Sequence, residues 1–296
     1  MSRSCYTPWR TALRLRSRST AYYSTCSRPN VSLSPDQQPP IAYHFLNTPI
    51  PYDIGLQLQE DIVDARTEWR SRRKAVAGTE TTQDGQGDVV LLLEHTPTYT
   101  TGRRDLALTS ADTHPEQAKI LYSGAEFHQT KRGGQVTYHG LGQLVGYPIL
   151  DLGSNGMSLA SIGIQIRHRI TSHGFAINVT IEPIPWFDLV TACGLNDVRA
   201  TSLQGVLTGR RRSKRDEKPL EPVLAVDKVA TDLMPFFGEK FNRRMVPLQR
   251  IVASENSEDT AHGIWLRVWN LIRGAETEAR SRLGSVELPR RPKQGM

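Results

Sequence analysis

A chain of 296 residues, 38% hydrophobic and 23% charged, has the balance of a water-soluble globular protein with a sizeable core, and no apolar run approaches the roughly 20 residues of a membrane-spanning helix. Three cysteines exclude a disulfide scaffold. The net charge of +7 suggests a nucleic-acid partner until it is located. Residues 1–35 carry six arginines (Arg3, Arg10, Arg14, Arg16, Arg18, Arg28) and no acid; without them 31 basic residues face 30 acidic ones, a net of +1, and nucleic-acid binding loses its support.

Residues 1–28 are rich in Arg, Ser and Thr, free of acids, and lack the continuous apolar segment of a secretory signal. This is the composition of a mitochondrial presequence, the alternative being a disordered basic arm, and it predicts a matrix protein. Cleavage near residues 22–35 would leave Cys193 without a disulfide partner. Residues 29–40, rich in Pro, Ser and Gln, read as a linker.

Ile54, Leu58, Ile62, Ala65 and Trp69 recur at helical spacing, which predicts a helix from a cap at Asp53 to about Val76. Val89–Leu93 is a buried-strand run that Thr98–Thr101 would extend. Val136–Tyr138 and Leu144–Leu152 read as strands around a tight turn, and the alternating Ile162, Ile164, Ile166 and Phe175, Ile177, Val179 as a hairpin with one buried face. Residues 205–222 are expected to be an exposed loop with a basic run from Arg210 to Arg215. Val223–Phe241 reads as a helix opened by Pro222 and disturbed by Pro235, another helix is expected around Ile264–Ile272, and the last twenty residues as frayed. Short strands and separated helices give an α+β fold (α/β-type mixed sheet flanked by helices), most simply as one domain.

Two segments carry chemistry. In Arg132–Gly140, RGGQVTYHG, paired glycines let backbone approach a ligand, Arg132 offers charge to a phosphate or carboxylate, and His139 offers an acid, a base or a donor. The same string also fits a Gly-rich hairpin with a solvated arginine, and it is neither a P-loop nor a dinucleotide fingerprint. In Ala192-Cys193-Gly194, the cysteine is either a small buried hydrophobe or a thiolate that takes an acyl group, with His139 and His173 available. No metal-ligand spacing is present, and no protease signature surrounds Cys193.

Arg132–Pro148, RGGQVTYHGLGQLVGYP, resembles the signature of the lipoyl(octanoyl) transferases. The likeness continues in SIGIQIRHRITSHGFAINV (Ser161–Val179), WFDLVTACGL (Trp186–Leu195), RATSL (Arg199–Leu203) and HTPTYTTGRR (His95–Arg104), and covers most of residues 45–245. It implies a catalytic domain over 41–250 with the mixed sheet of biotin and lipoate protein ligases, and a C-terminal extension over 251–296. It implies octanoyl transfer from acyl carrier protein to a lysine of lipoyl domains, in dehydrogenase E2 subunits and the glycine-cleavage H protein, with no cofactor and no metal; a monomer is the default expectation. By motif match Cys193 is the acyl-thioester nucleophile, and Arg132, Gly133, Gly134, Gln135, Val136, Thr137, Tyr138, His139, Ser161, Ile162, Gly163, Gly174, Phe175 and Ala176 line the acyl pocket, its small residues admitting a thin chain.

The sequence departs from that family in one place. The family lysine that lowers the cysteine pKa falls at Ser158, and residues 153–158 are too few for the helix expected between the two strands. One deletion explains both. A free thiol with a pKa near 8.5 is only about 3% thiolate at pH 7, roughly tenfold less than one tuned to about 7. A non-catalytic relative that binds acyl carrier protein or lipoyl domains is therefore the alternative, and an ATP-dependent lipoate or biotin ligase a more distant one.

Overall fold

A computed structural model describes residues 34–77, 86–103, 120, 122–151, 163, 165–190, 199–211, 224–254, 260–284, 287–289 and 291–292. Its organising element is a run of five buried apolar residues, strand β2 (Val89–Leu93). With period two, Val89, Leu91 and Leu93 enter one apolar cluster, and Val90 and Leu92 enter a second. Burial on both faces explains why this strand reads as a continuous apolar run and not as an alternation.

Strand β1 (Ile41–Phe45) lies parallel to β2 on one side, and β6 (Gln143–Ile149) antiparallel on the other. Strand β9 (Phe175–Asn178) pairs antiparallel with β6, and β10 (Met245–Pro247) pairs parallel with β1, giving the order β10-β1-β2-β6-β9. Pro247 ends an edge strand, where a missing N–H donor is tolerated. A second sheet has the order β4-β3-β5, built from β3 (Thr98–Thr101), β4 (Glu126–Gln129) and β5 (Thr137–His139). Strands β7 (Gln165–Arg167) and β8 (Ile170–Ser172) form a hairpin of their own.

Helix α1 (Tyr52–Ala77) turns Ile54, Leu58, Ile62 and Ala65 into the first cluster. Asp53 sits in its first turn, where the helix dipole favours a carboxylate, and not at the cap. Helices α2 (Ile184–Phe187) and α3 (Leu203–Arg211) follow the hairpin region. Helix α4 (Val226–Phe241) covers the other face of the large sheet with Ala230, Met234 and Phe237, and ends on Asn242 in the left-handed region at φ 50°. Helices α5 (Leu248–Ala253) and α6 (Thr260–Leu283) return to the α1 side, where Ile264, Trp265, Val268 and Ile272 complete the first cluster. The main sheet is thus flanked by helices on both faces, as the sequence predicts. Among the described residues no helix is long and apolar enough to cross a membrane.

Several local expectations are corrected. Thr98–Thr101 does not extend β2: His95 makes only an isolated bridge with Ile50, and the chain crosses to the second sheet. The strands around the turn at 140–143 separate, β5 into one sheet and β6 into the other, although Gln143 N–H donates to Gly140 O at 3.1 Å as a tight turn requires. Phe175–Asn178 pairs with β6 and not with the isoleucine-rich segment, whose Ile166 is exposed. That segment instead folds onto β8 through His168 and Arg169, both at positive φ. The exposed loop expected at 205–222 begins as helix α3, with 212–222 outside the described residues. The frayed end is helical to Leu283.

A buried ionic junction closes one end of β2. Asp88 accepts hydrogen bonds from Arg66 of α1, from Arg243 beyond α4, and from the Asp151 N–H at 2.7 Å. The arginines reach further, Arg66 to Ile149 O at 2.6 Å and Arg243 to Pro39 O at 2.8 Å. One carboxylate therefore ties a helix, two strands and the residues before β1 together.

Candidate functional site

The 131–135 loop gets its shape from Arg132. Its Nη2 donates to Thr100 O and to Gln135 O, both at 2.7 Å, and its Nη1 donates to Gly133 O at 2.9 Å. The fork geometry of a guanidinium suits this multiple grip. The charge expected to meet a substrate anion is thus engaged with the carbonyls of its own loop and of β3. Gly102 makes the approach possible, since a Cβ there would stand 2.2 Å from Gly134 O. Gly134 itself has φ +94°, open to glycine.

A second, sequence-distant motif meets this loop through Gly163. A Cβ added at Gly163 would lie 3.6 Å from Arg132 Cδ and from Gly133 O, and 3.9 Å from Gly174 O. The small residues nevertheless serve the backbone first. A Cβ at Gly174 would fall 1.9 Å from Gly146 O, and one at Gly146 would strike the Phe175 ring at 2.2 Å. Phe175 in turn packs on Phe237 with centroids 5.6 Å apart, and Ala176 is exposed.

The rest of the motif alternates between core and site. Val136 and Tyr138 are buried in the cluster under the small sheet, with Tyr138 stacked on Trp186 at 5.1 Å and 6°. Burial pushes the Tyr138 phenol well above its ordinary range. Tyr99 O–H donates to Trp186 O at 2.6 Å, so α2 is anchored at its centre. Leu189 and Val190 pack against the same cluster, and three residues further along the sequence comes Cys193. Cys193, Ser158, Ser161 and Ile162 lie outside the described residues, as does the short segment 153–158.

His139 faces a group of buried rings that the sequence reading left apart. Tyr52, at the start of α1, stacks on it at 6.0 Å and 10°, and His95 lies 5.9 Å away. Desolvation pushes His139 down to about 3 and His95 to about 4. Desolvation and then the Arg132 charge push His173 to about 4, and desolvation raises Tyr52 to about 12. All three histidines are therefore neutral at pH 7. His95 Nδ1 donates to Ile50 O at 2.7 Å, which leaves its Nε2 to accept from Tyr147 O–H at 2.5 Å. His139 Nδ1 meets Gln143 Oε1 at 2.7 Å. Nearby, Glu94 accepts the Gly142 N–H at 2.6 Å, and burial raises its pKa.

Tyr52, Gln143 and Asn178 were missed in the sequence as site residues. The available signal was a lone amide in each of two apolar strands, QLVGYPI and FAIN. Among the described residues no group of three or more His, Cys, Asp or Glu is placed to hold a metal ion.

Residues 64–161 match the family described as lipoyl protein ligase A/B catalytic domain. An octanoyltransferase of Acidobacterium capsulatum is 32% identical over 254 residues, covering 68% of this chain and 90% of the relative. One of Thermobifida fusca is 30% identical over 213 residues, covering 56% of this chain and 80% of the relative. Since 254 aligned positions occupy only 68% of 296 residues, the Acidobacterium protein has positions with no counterpart here. Among solved structures, a bipartite lipoate protein ligase of Thermoplasma acidophilum is similar over 85% of this chain and 98% of its own, at 12% identity and a TM-score of 0.39.

Proposed function

The chain belongs to the octanoyltransferase family, and from that premise we propose that it carries octanoyl from acyl carrier protein to a lysine of lipoyl domains through a thioester on Cys193. The observation that carries this reading is the approach of Gly163 to Arg132 and Gly133 on one side and to Gly174 on the other, because it brings together two separate strings of the family signature, Arg132–Pro148 and Ser161–Val179. The neutral, desolvated rings of Tyr52, His95, His139 and His173 beside that loop suit an apolar acyl group better than a charged one.

The chemistry is self-sufficient. The Cys193 sulfur displaces the carrier thiol from the octanoyl thioester, and the proton of the cysteine leaves with that thiol. A lysine amine then displaces Cys193 and forms the amide, returning a proton to the cysteine. Thioester to amide is downhill, so no nucleotide is needed. The dehydrogenase E2 subunits and the glycine-cleavage H protein are the acceptors this reading supplies. The acid-free, arginine-rich residues 1–28 support delivery to the mitochondrial matrix, where such acceptors work.

The test is the intact mass of the protein after incubation with octanoyl-acyl carrier protein, beside Cys193→Ala. A hydroxylamine-sensitive octanoyl adduct, absent from the mutant, is the expected result. Folded protein that takes no adduct overturns the thioester route. A second reading, a relative that binds the carrier or the lipoyl domain without turnover, is favoured by Ser158 at the lysine position and by the aligned positions of relatives that this chain lacks. Binding without an adduct is its signature.

A further inference from the structure

Three residues of α1 at helical spacing meet three histidines. Tyr52 stacks on His139, a Cβ at Gly55 would come 2.8 Å from His95 Cε1, and Gln59 Oε1 accepts the backbone N–H of His173 at 2.7 Å. That last bond holds His173 at φ 58°, a conformation uncommon outside glycine. His95 is saturated, with Nδ1 on Ile50 O and Nε2 on Tyr147. His139 is not.

The state of His139 is set by β6 and β9. Asn178 Nδ2 donates to Thr201 O at 3.1 Å, which leaves Asn178 Oδ1 to accept from Gln143 Nε2 at 2.9 Å. Gln143 Nε2 also donates to Tyr138 O at 3.1 Å, so Gln143 Oε1 is the atom that meets His139 Nδ1, 2.7 Å away. An amide oxygen only accepts, and burial disfavours a second proton on the ring; His139 therefore carries its hydrogen on Nδ1 and a lone pair on Nε2. Among the described residues no group donates to that Nε2, although the residue is nine-tenths buried. Nor is the atom sealed in, since the enclosed unpartnered side-chain atoms among the described residues are His44 Nε2, Arg66 Nε, Thr96 Oγ1 and Thr101 Oγ1. A buried lone pair, held in one tautomer and still reachable, is an acceptor for a donor from outside the chain.

We propose that His139 Nε2 is the acceptor for a neutral amide N–H in the arm that carries the acyl group, and that Gln143 and Asn178 are positioning residues that hold the ring in the accepting tautomer. This rests on the octanoyl-transfer reading, whose donor presents its thioester on a thin arm built with secondary amides. Three properties select that class. A lone pair repels the oxygens of a carboxylate or phosphate. Desolvated neutral rings make an ammonium costly, and the Arg132 charge, which opposes a proton on His139, opposes it as well. A ring nine-tenths buried admits a thin arm and not a folded loop. An amide N–H meets all three conditions, and the contact exchanges no proton.

The experiment follows the histidines of the full chain by 15N NMR during titration with S-octyl-N-acetylcysteamine, an unreactive thioether that keeps one amide of the arm. A second titration uses its N-methylated analogue, which lacks only the N–H. In the free protein His139 should show a protonated Nδ1 and an unprotonated Nε2. The first compound should move the His139 Nε2 resonance far more than those of His95, and should bind about tenfold more tightly than the second, the worth of one hydrogen bond. Gln143→Met should mix the tautomers and remove that preference. Should it fail to fold, the half-buried Asn178→Ala carries the same test, with a partial loss of the preference. A protonated Nε2 in the free protein, equal binding of the two compounds, or a Gln143→Met with mixed tautomers and an intact preference would each overturn the proposal. Butylamine, a lysine mimic, moving Nε2 where the thioether does not would overturn the assignment to the arm. The functional reading fails separately. Protein that takes no octanoyl adduct but discriminates the two compounds at His139 loses the transfer and keeps the site; protein that takes the adduct without discriminating keeps the transfer and loses the site.

Discussion

Strand β2 is bounded at both ends by fully buried polar groups, Asp88 before Val89 and His95 two residues past Leu93, and the two ends are built on different terms. At the first, opposite charges neutralise one another, with a carboxylate set between Arg66 and Arg243. At the second, the buried groups are neutral rings whose charged forms burial suppresses, and one of them keeps an unused acceptor. Charge matched within the protein makes a joint. Neutral polarity held by desolvation makes no such joint. The apolar strand between them holds the two apart.

The sharpest way to break that contrast is at the joint. Asp88→Ala leaves two buried guanidiniums without their carboxylate and is expected to cost about 3–5 kcal/mol in urea denaturation. Gly102→Ala strikes the other end: its Cβ would meet Gly134 O, displacing the loop that Arg132 holds, with octanoyl transfer expected to fall about 10²-fold. A fall in stability equal to that of Asp88→Ala, with activity per folded molecule unchanged, would show that the two ends do not differ as described.

Acid also separates them. His95, His139 and His173 are held near 4, 3 and 4 in the fold against roughly 6.5 in an open chain. The unfolded chain thus binds more protons below pH 6.5, so their contribution is complete above that value and declines as pH falls toward 4. Each histidine contributes up to about 1.4 kcal/mol per pH unit in that window, measurable as a falling Tm, and His95→Gln should flatten the slope. The smallest effect belongs to the exposed pair of Arg167 and Asp64, where Asp64→Asn should change stability by less than about 1 kcal/mol, because solvent screens it as it cannot screen Asp88.

Regularity of side-chain pattern decided what the sequence made legible. Helix α1 and strand β2 could be read because each repeats one local period over its whole length. The hairpin at 165–172 could not, because its turn puts His168 and Arg169 at positive φ without the Asn or Gly that announces such a turn, and because Ile166 alternates without being buried. Helix α6 outran its expected end because Ala275 and Ala279 make its contact with the core in place of large apolar residues. In the site, the motif residues were named from the sequence, but the work of Arg132 was not. Whether a guanidinium meets solvent, a ligand or its own loop depends on β3, which is distant in the sequence. The same holds for Gln143 and Asn178, whose meaning appears only when β6 and β9 lie side by side.

The parallel pairing of β1 with β10 has a consequence in time. Ile41 lies beside Met245, and the apolar face of α1 is closed by a helix that begins at Thr260. A ribosome adding about 5–20 residues per second needs on the order of ten seconds or more to cross that interval. For that time the emerging chain carries an open sheet edge and an uncovered helix face, which only segments made about 200 residues later close.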